Sequence, residues 1–111
     1  MWSNDDGLAA ELVAAGDRCF ERCWRMPVLP EHSKEITEAG GFSDLRSIGK
    51  GRDGGACTAA AFLQEFAEDG VKWAHVDIAG PAFASAARGH IPKGSTGFGT
   101  QLLVEYLKTL Q

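Results

Sequence analysis

One stretch constrains the fold of this chain more than any other: Val71 to Phe83, VKWAHVDIAGPAF, is its only convincing β-strand. Apolar weight falls on both faces, Trp73 on one and Ala74, Val76 and Ile78 on the other. That suits an interior strand of a mostly parallel α/β sheet rather than a strand wetted on one side. Such a strand carries N–H and C=O groups along both edges, and burying them unpaired costs about 1–3 kcal/mol each. The remaining sequence offers no second strand of comparable quality. The expectation is a chain that is incomplete on its own, its sheet finished by upstream residues or by another polypeptide.

Helical patterning surrounds that strand. Ser3 or Asn4 can cap a first helix with Asp5 and Asp6 in its first turn, and Leu8, Leu12, Ala15, Cys19, Phe20, Cys23 and Trp24 recur at steps of three and four. This predicts an amphipathic helix ending before Pro27. Pro27, Pro30 and the glycines between Gly40 and Gly54 make the next stretch a connecting region, with a short helix near Glu31 to Thr37. A second long helix is expected from Ala56 to about Glu68, where GGACTAAAF offers small side chains for close approach to a neighbour. The last is expected from Thr96 or Gly97 to Leu110, its stripe formed by Leu102, Leu103, Tyr106, Leu107 and Leu110.

At 111 residues there is room for one domain. Lys and Arg number 11 against 15 Asp and Glu, a formal charge of -4, and the cations are scattered, which argues against nucleic acid as a partner. Asn4, Asp5 and Asp6 directly after Met1 do not resemble a signal peptide, and no apolar run is long enough to span a bilayer, so a cytoplasmic protein is expected. Cys19 and Cys23 fall on one face of the expected helix. With Cys57 they are read as reduced, buried thiols rather than metal ligands or a disulfide.

Three constellations invite a chemical reading. GKGRDG, Gly49 to Gly54, has the spacing of a dinucleotide-binding loop and precedes a helix, with Asp77 in the following strand as its acidic partner. The preceding FSDLRSI is too polar for the buried strand that such a unit needs, and a Walker loop fails because Gly51, not Ser or Thr, follows Lys50. His32, His75 and His90 lie at no metal-ligand spacing. His75 and Asp77 project from one strand face, but no Ser in a strained turn completes a triad. They are read as polar groups hydrogen-bonded at the sheet edge or to neighbouring loops. GKGRDGG and KGSTGFG are read as tight turns feeding helices.

Four blocks, ERCWRMPVLPEH, DLRSIGKGRDGGACTAAAFLQEF, KWAHVDIAG and KGSTGFGTQLLVEYL, resemble the C-terminal part of the leucyl (cytosol) aminopeptidase family in order and spacing. The resemblance implies the C-terminal portion of a three-layer α/β/α catalytic domain, spanning residues 1–111, from a metalloaminopeptidase that removes N-terminal residues, Leu preferred. It implies two divalent ions, zinc, manganese or magnesium, which bind the peptide's free amine and activate water. It implies a peptide substrate and a homohexamer. The family's metal-binding lysine and aspartate segment and its motif close to NTDAEGR do not occur in this sequence. No metal ligand and no catalytic residue therefore carries over, and the segment alone is expected to be inactive. What does carry over is part of the wall around the substrate's first side chain, at Ala79 and Ala82, where relatives often place a larger residue at the second position. The alternatives are a non-catalytic interaction partner of complete subunits and a small dinucleotide-binding module.

Overall fold

The computed structural model describes residues 1–38, 41–51 and 53–110. The elements run β1 (Trp2–Ser3), α1 (Asp6–Cys19), α2 (Pro30–Thr37), α3 (Gly55–Gln64), β2 (Ala74–His75), β3 (Phe83–Ala84), β4 (Gly94–Ser95) and α4 (Thr100–Leu107), closed by a 3-10 turn at Lys108–Leu110.

The expected strand forms, but as the short β2, and its partner comes from the start of the chain. Trp2 pairs with His75 and Ser3 with Ala74 in an antiparallel register. Asn4 extends the pairing, accepting from the Trp73 N–H at 2.8 Å through its side chain, and the Ser3 hydroxyl donates to Trp73 O at 2.7 Å. Ser3 and Asn4 thus serve the sheet, and the cap of α1 moves to Asp5, whose carboxylate accepts from Leu8 N–H at 2.7 Å. The parallel pairing expected of the strand is not found among the described residues. β1–β2 and β3–β4 are both antiparallel, β1 reaching β2 from across three intervening helices and β4 returning to β3 as a local hairpin. Among the described residues nothing pairs with the far edge of β2.

α1 stops at Cys19 instead of continuing to Pro27. Phe20 enters the left-handed region at φ 62, the one non-glycine residue among those described to do so. Residues 21–29 then turn back along β1, where Met26 N–H donates to Met1 O at 2.8 Å. The cause is tertiary. Glu21 leaves the helix to place its carboxylate at the head of α4, accepting from the N–H groups of Gly99 at 3.0 Å and Leu102 at 2.8 Å. Cys19 and Cys23 consequently do not share a helix face. All three cysteines are free thiols.

Helices cover both faces of the β1–β2 pair, giving three layers. On one face Ala74 and Val76 pack against a cluster of Leu8, Ala9 and Leu12 from α1 and Leu102 from α4. On the other Trp2 and Trp73 pack against Cys57 and Ala60 of α3, whose small side chains let the helix approach the sheet. Gly16 is the close point of the first layer. A Cβ there would stand 2.5 Å from Glu21 O and 3.2 Å from a Leu102 methyl.

The layers do not enclose themselves. A self-contained chain of this length has a radius of gyration of about 13 Å, whereas this one measures 16.0 Å in a slab of 50 × 36 × 18 Å. Its accessible surface, 7789 Å², exceeds the roughly 5,900 Å² of a compact monomer of its mass. The excess includes apolar side chains of α4, with Leu103, Val104 and Leu107 exposed.

Candidate functional site

The site suggested by Ala79 and Ala82 is a turn that leaves β2 and is held from below. The Asp77 carboxylate accepts from Ala79 N–H at 2.8 Å, the local bond by which Asp starts a turn. Ala82 N–H donates to Ile78 O at 2.9 Å, and Thr96 N–H donates to Ala82 O at 2.9 Å. The Thr96 hydroxyl donates to Pro81 O at 2.6 Å and accepts from Phe98 N–H at 3.2 Å. Thr96 therefore ties KGSTGFG to GPA, a role that nothing in its sequence context marks. Glycine makes the return possible: Gly97 and Gly99 take φ of 69 and 94, a region that costs other residues free energy.

The two alanines differ in setting. Ala79 is exposed and lines a cavity of about 380 Å³ with Trp2, Cys23, Trp24, Val76 and Phe98. Ala82 is half-buried within the turn and is not among the residues lining that cavity. Trp2, on the same cavity, buries its indole N–H without an acceptor among the described residues. Burial at position 2 was invisible in the sequence, since the strand containing Trp2 is only two residues long.

His75 and Asp77 part company. Asp77 makes the turn bond just described, as expected of a polar group serving a neighbouring loop. His75 instead lies between two indoles, its ring stacked on Trp2 at 5.5 Å and on Trp73 at 6.4 Å. Burial lowers its pKa below the ordinary value, partly opposed by the nearby Asp77 charge. His32 accepts from Leu29 N–H at 3.0 Å at the head of α2, and His90 sits in the loop between β3 and β4. Among the described residues no three His, Cys, Asp or Glu side chains converge as a metal site would require. A two-metal centre does not fit these residues, and no chemical step is assigned to them through one.

The glycine loop Gly49–Gly54 precedes α3, with Gly54 at φ 64; Arg52 lies outside the described residues. Its surroundings are anionic. Glu35 of α2 accepts from Lys50 N–H and from the Thr58 hydroxyl at 3.3 Å, while the Lys50 ammonium pairs with Glu38 at 2.7 Å. A carboxylate thus occupies the donor that a phosphate would need, and residues 41–48 form no strand ahead of it.

Two layers of helices on a short sheet, one sheet edge unpaired, and a glycine-tied turn at the end of β2 define a partial α/β domain. Residues 1–104 match the catalytic domain of the cytosol aminopeptidase family, and the chain belongs to that family. It is 46% identical over 108 residues to a probable cytosol aminopeptidase of Chloroherpeton thalassium, covering 97% of this chain and 20% of the relative. With that of Synechococcus sp. it shares 41% over 109 residues, covering 98% and 21%. The chain thus spans about a fifth of the length of these curated relatives. Among solved structures it is similar to the bottromycin maturation enzyme BotP in complex with Mn, with a TM-score of 0.89 and 36% identity over 98% of this chain and 24% of that one. A tomato leucine aminopeptidase mutant gives a TM-score of 0.80 at 35% identity, covering 96% and 19%. Among the described residues no helix is long and apolar enough to cross a membrane.

Proposed function

We propose that residues 1–111 form part of the catalytic domain of an aminopeptidase that removes N-terminal residues, Leu preferred, from peptides. The carrying observation is the family match over residues 1–104 to an architecture whose sheet and α4 face are left open. In this reading the segment supplies scaffold and, through Ala79 and Ala82, part of the wall around the first side chain. Two divalent ions, manganese, zinc or magnesium, are held by the rest of the domain, where they would polarise the scissile carbonyl and activate water. The Mn complex of the similar BotP supports divalent-metal use. The assembly is a cytoplasmic homohexamer.

The test is direct. The segment alone, given manganese and leucyl-p-nitroanilide, is expected to show no turnover, and the same segment within the complete catalytic domain is expected to release p-nitroaniline. Turnover by the segment alone would refute the division of labour, and silence from the complete domain would refute the activity.

The exposed apolar flank favours a second reading, a non-catalytic partner that docks onto complete subunits. Native mass spectrometry of the segment mixed with complete subunits separates the two. Mixed oligomers without gain of activity support the partner role, and their absence removes it.

A further inference from the structure

A second and larger cleft opens on the other side of the GPA turn. β3 and β4 are the base of a hairpin, Phe83 opposite Ser95 and Ala84 opposite Gly94. Its tip is closed by two bonds between Arg88 and Ile91, at 2.9 and 3.0 Å, around Gly89 at φ 57 and His90. Between this hairpin and the end of α1 lies a space of about 820 Å³, within the roughly 300–1,000 Å³ common for ligand clefts. Phe20, Phe83 and Phe98 give it aromatic walls, and it meets the Ala79 cavity at Gly80, Pro81 and Phe98.

Two charged side chains of opposite sign line the cleft, Glu21 and Arg88, beside His90, and they are engaged differently. One oxygen of the Glu21 carboxylate accepts from the N–H groups of Gly99 and Leu102 at the head of α4, which ties it to the helix N-terminus. Arg88 has no ion-pair partner among the described residues. The cleft therefore presents an unpaired guanidinium beside aromatic surface. Phe20 adds to the pattern, since it is held at φ 62, a left-handed conformation that bulky residues rarely adopt. The strained turn leaves its ring 81% exposed at the cleft.

We infer that this cleft receives the downstream part of a short peptide, with apolar or aromatic side chains against Phe20 and Phe83 and the free C-terminal carboxylate on Arg88. The inference rests on the aminopeptidase reading and deepens it. It makes short peptides with a free carboxylate the favoured substrate class, and it makes Arg88 a specificity residue rather than a catalytic one. An Arg guanidinium suits a carboxylate because its planar fork donates two parallel hydrogen bonds.

The experiment uses the complete protein carrying this segment, loaded with manganese. kcat/KM is measured for leucyl-phenylalanine and for its C-terminal amide, and their ratio is compared among the unsubstituted protein, Arg88→Gln and Arg88→Lys. The ratio is expected to favour the free acid by about two- to fivefold, to collapse toward unity in Arg88→Gln and to survive in part in Arg88→Lys, the range expected of an exposed charged pair. A ratio unmoved by Arg88→Gln overturns the inference while leaving the activity standing. Leucyl-p-nitroanilide, which has no carboxylate to read, reports the activity by itself in the unsubstituted protein. Its failure to turn over would sink the aminopeptidase reading and this inference with it.

Discussion

The two edges of the β1–β2 pair are finished differently. On the β1 side the chain closes upon itself: Met26 bonds back to Met1, and Arg25 reaches Asp6 at 2.7 Å. On the far side of β2 the ladder stops. Beyond it lies an apolar hollow of about 430 Å³ lined by Val76, Ile78, Phe98, Leu103, Val104 and Leu107. An unpaired edge beside unburied aliphatic surface is a paired liability, since water must solvate the one and is ordered around the other. Both defects occupy one flank, so a single neighbour laid along β2 would remove them together.

The largest expected effect contrasts two leucines of one helix. Leu102 is fully buried between α1 and α4, whereas Leu107 is 57% exposed. In the complete protein Leu102→Ala is expected to cost about 2–5 kcal/mol, the range for a buried leucine. If the open flank is covered there, Leu107→Ala should approach the lower end of that range, about 2 kcal/mol. If it remains at the surface, the cost should stay within about 0.5 kcal/mol. Urea denaturation midpoints of the two variants decide which holds, and a negligible cost at Leu107 would break the contrast drawn between the flanks.

Next in size is Glu21, which ties the segment after α1 to the head of α4, beside the open flank. Its carboxylate satisfies two otherwise free N–H donors at the start of α4, in a helix whose own cap position is Gly99 and offers no side chain. Glu21→Ala is expected to destabilise by about 1–2 kcal/mol, and Glu21→Gln by less, because its amide oxygen can still accept. Equal midpoints for both variants and the unsubstituted protein would show that the cap carries no weight.

Glu21 also shows where the sequence stopped being legible. Helix periodicity runs unbroken through Phe20, Cys23 and Trp24, and no local signal announces that position 21 is needed 78 residues away, at Gly99. Tertiary demand overrode propensity there, as it did at Ser3 and Asn4, whose capping character was spent on the β2 backbone. The reverse holds for α2 and α3, whose starts lie where Pro30 and the Gly54–Gly55 pair place them. The hydrophobic weight of residues 73–78 correctly marked a strand with both faces covered. β1 could not be found from its pattern, since two residues carry no periodicity. The wall role proposed for Ala79 and Ala82 rests on family likeness alone, because alanines after a strand have no chemistry of their own.

The smallest effect tests whether the Trp2–His75–Trp73 stack belongs to the closed side. Burial lowers the His75 pKa in the folded chain, so folding favours the neutral ring. Between that lowered value and the ordinary 6.5 the unfolded chain binds more protons, and stability must fall as pH falls through this interval. The contribution is fully present above the ordinary value. His75→Phe keeps an aromatic ring between the indoles and cannot titrate, so its stability should lose this component of the pH dependence between neutral and mildly acid conditions. Denaturation midpoints of the two proteins, measured in parallel across that interval, should converge as pH rises if the stack is closed to water. Parallel profiles would mean that the ring is solvated in both states, and the closed edge would then end at Ser3 rather than at Trp2.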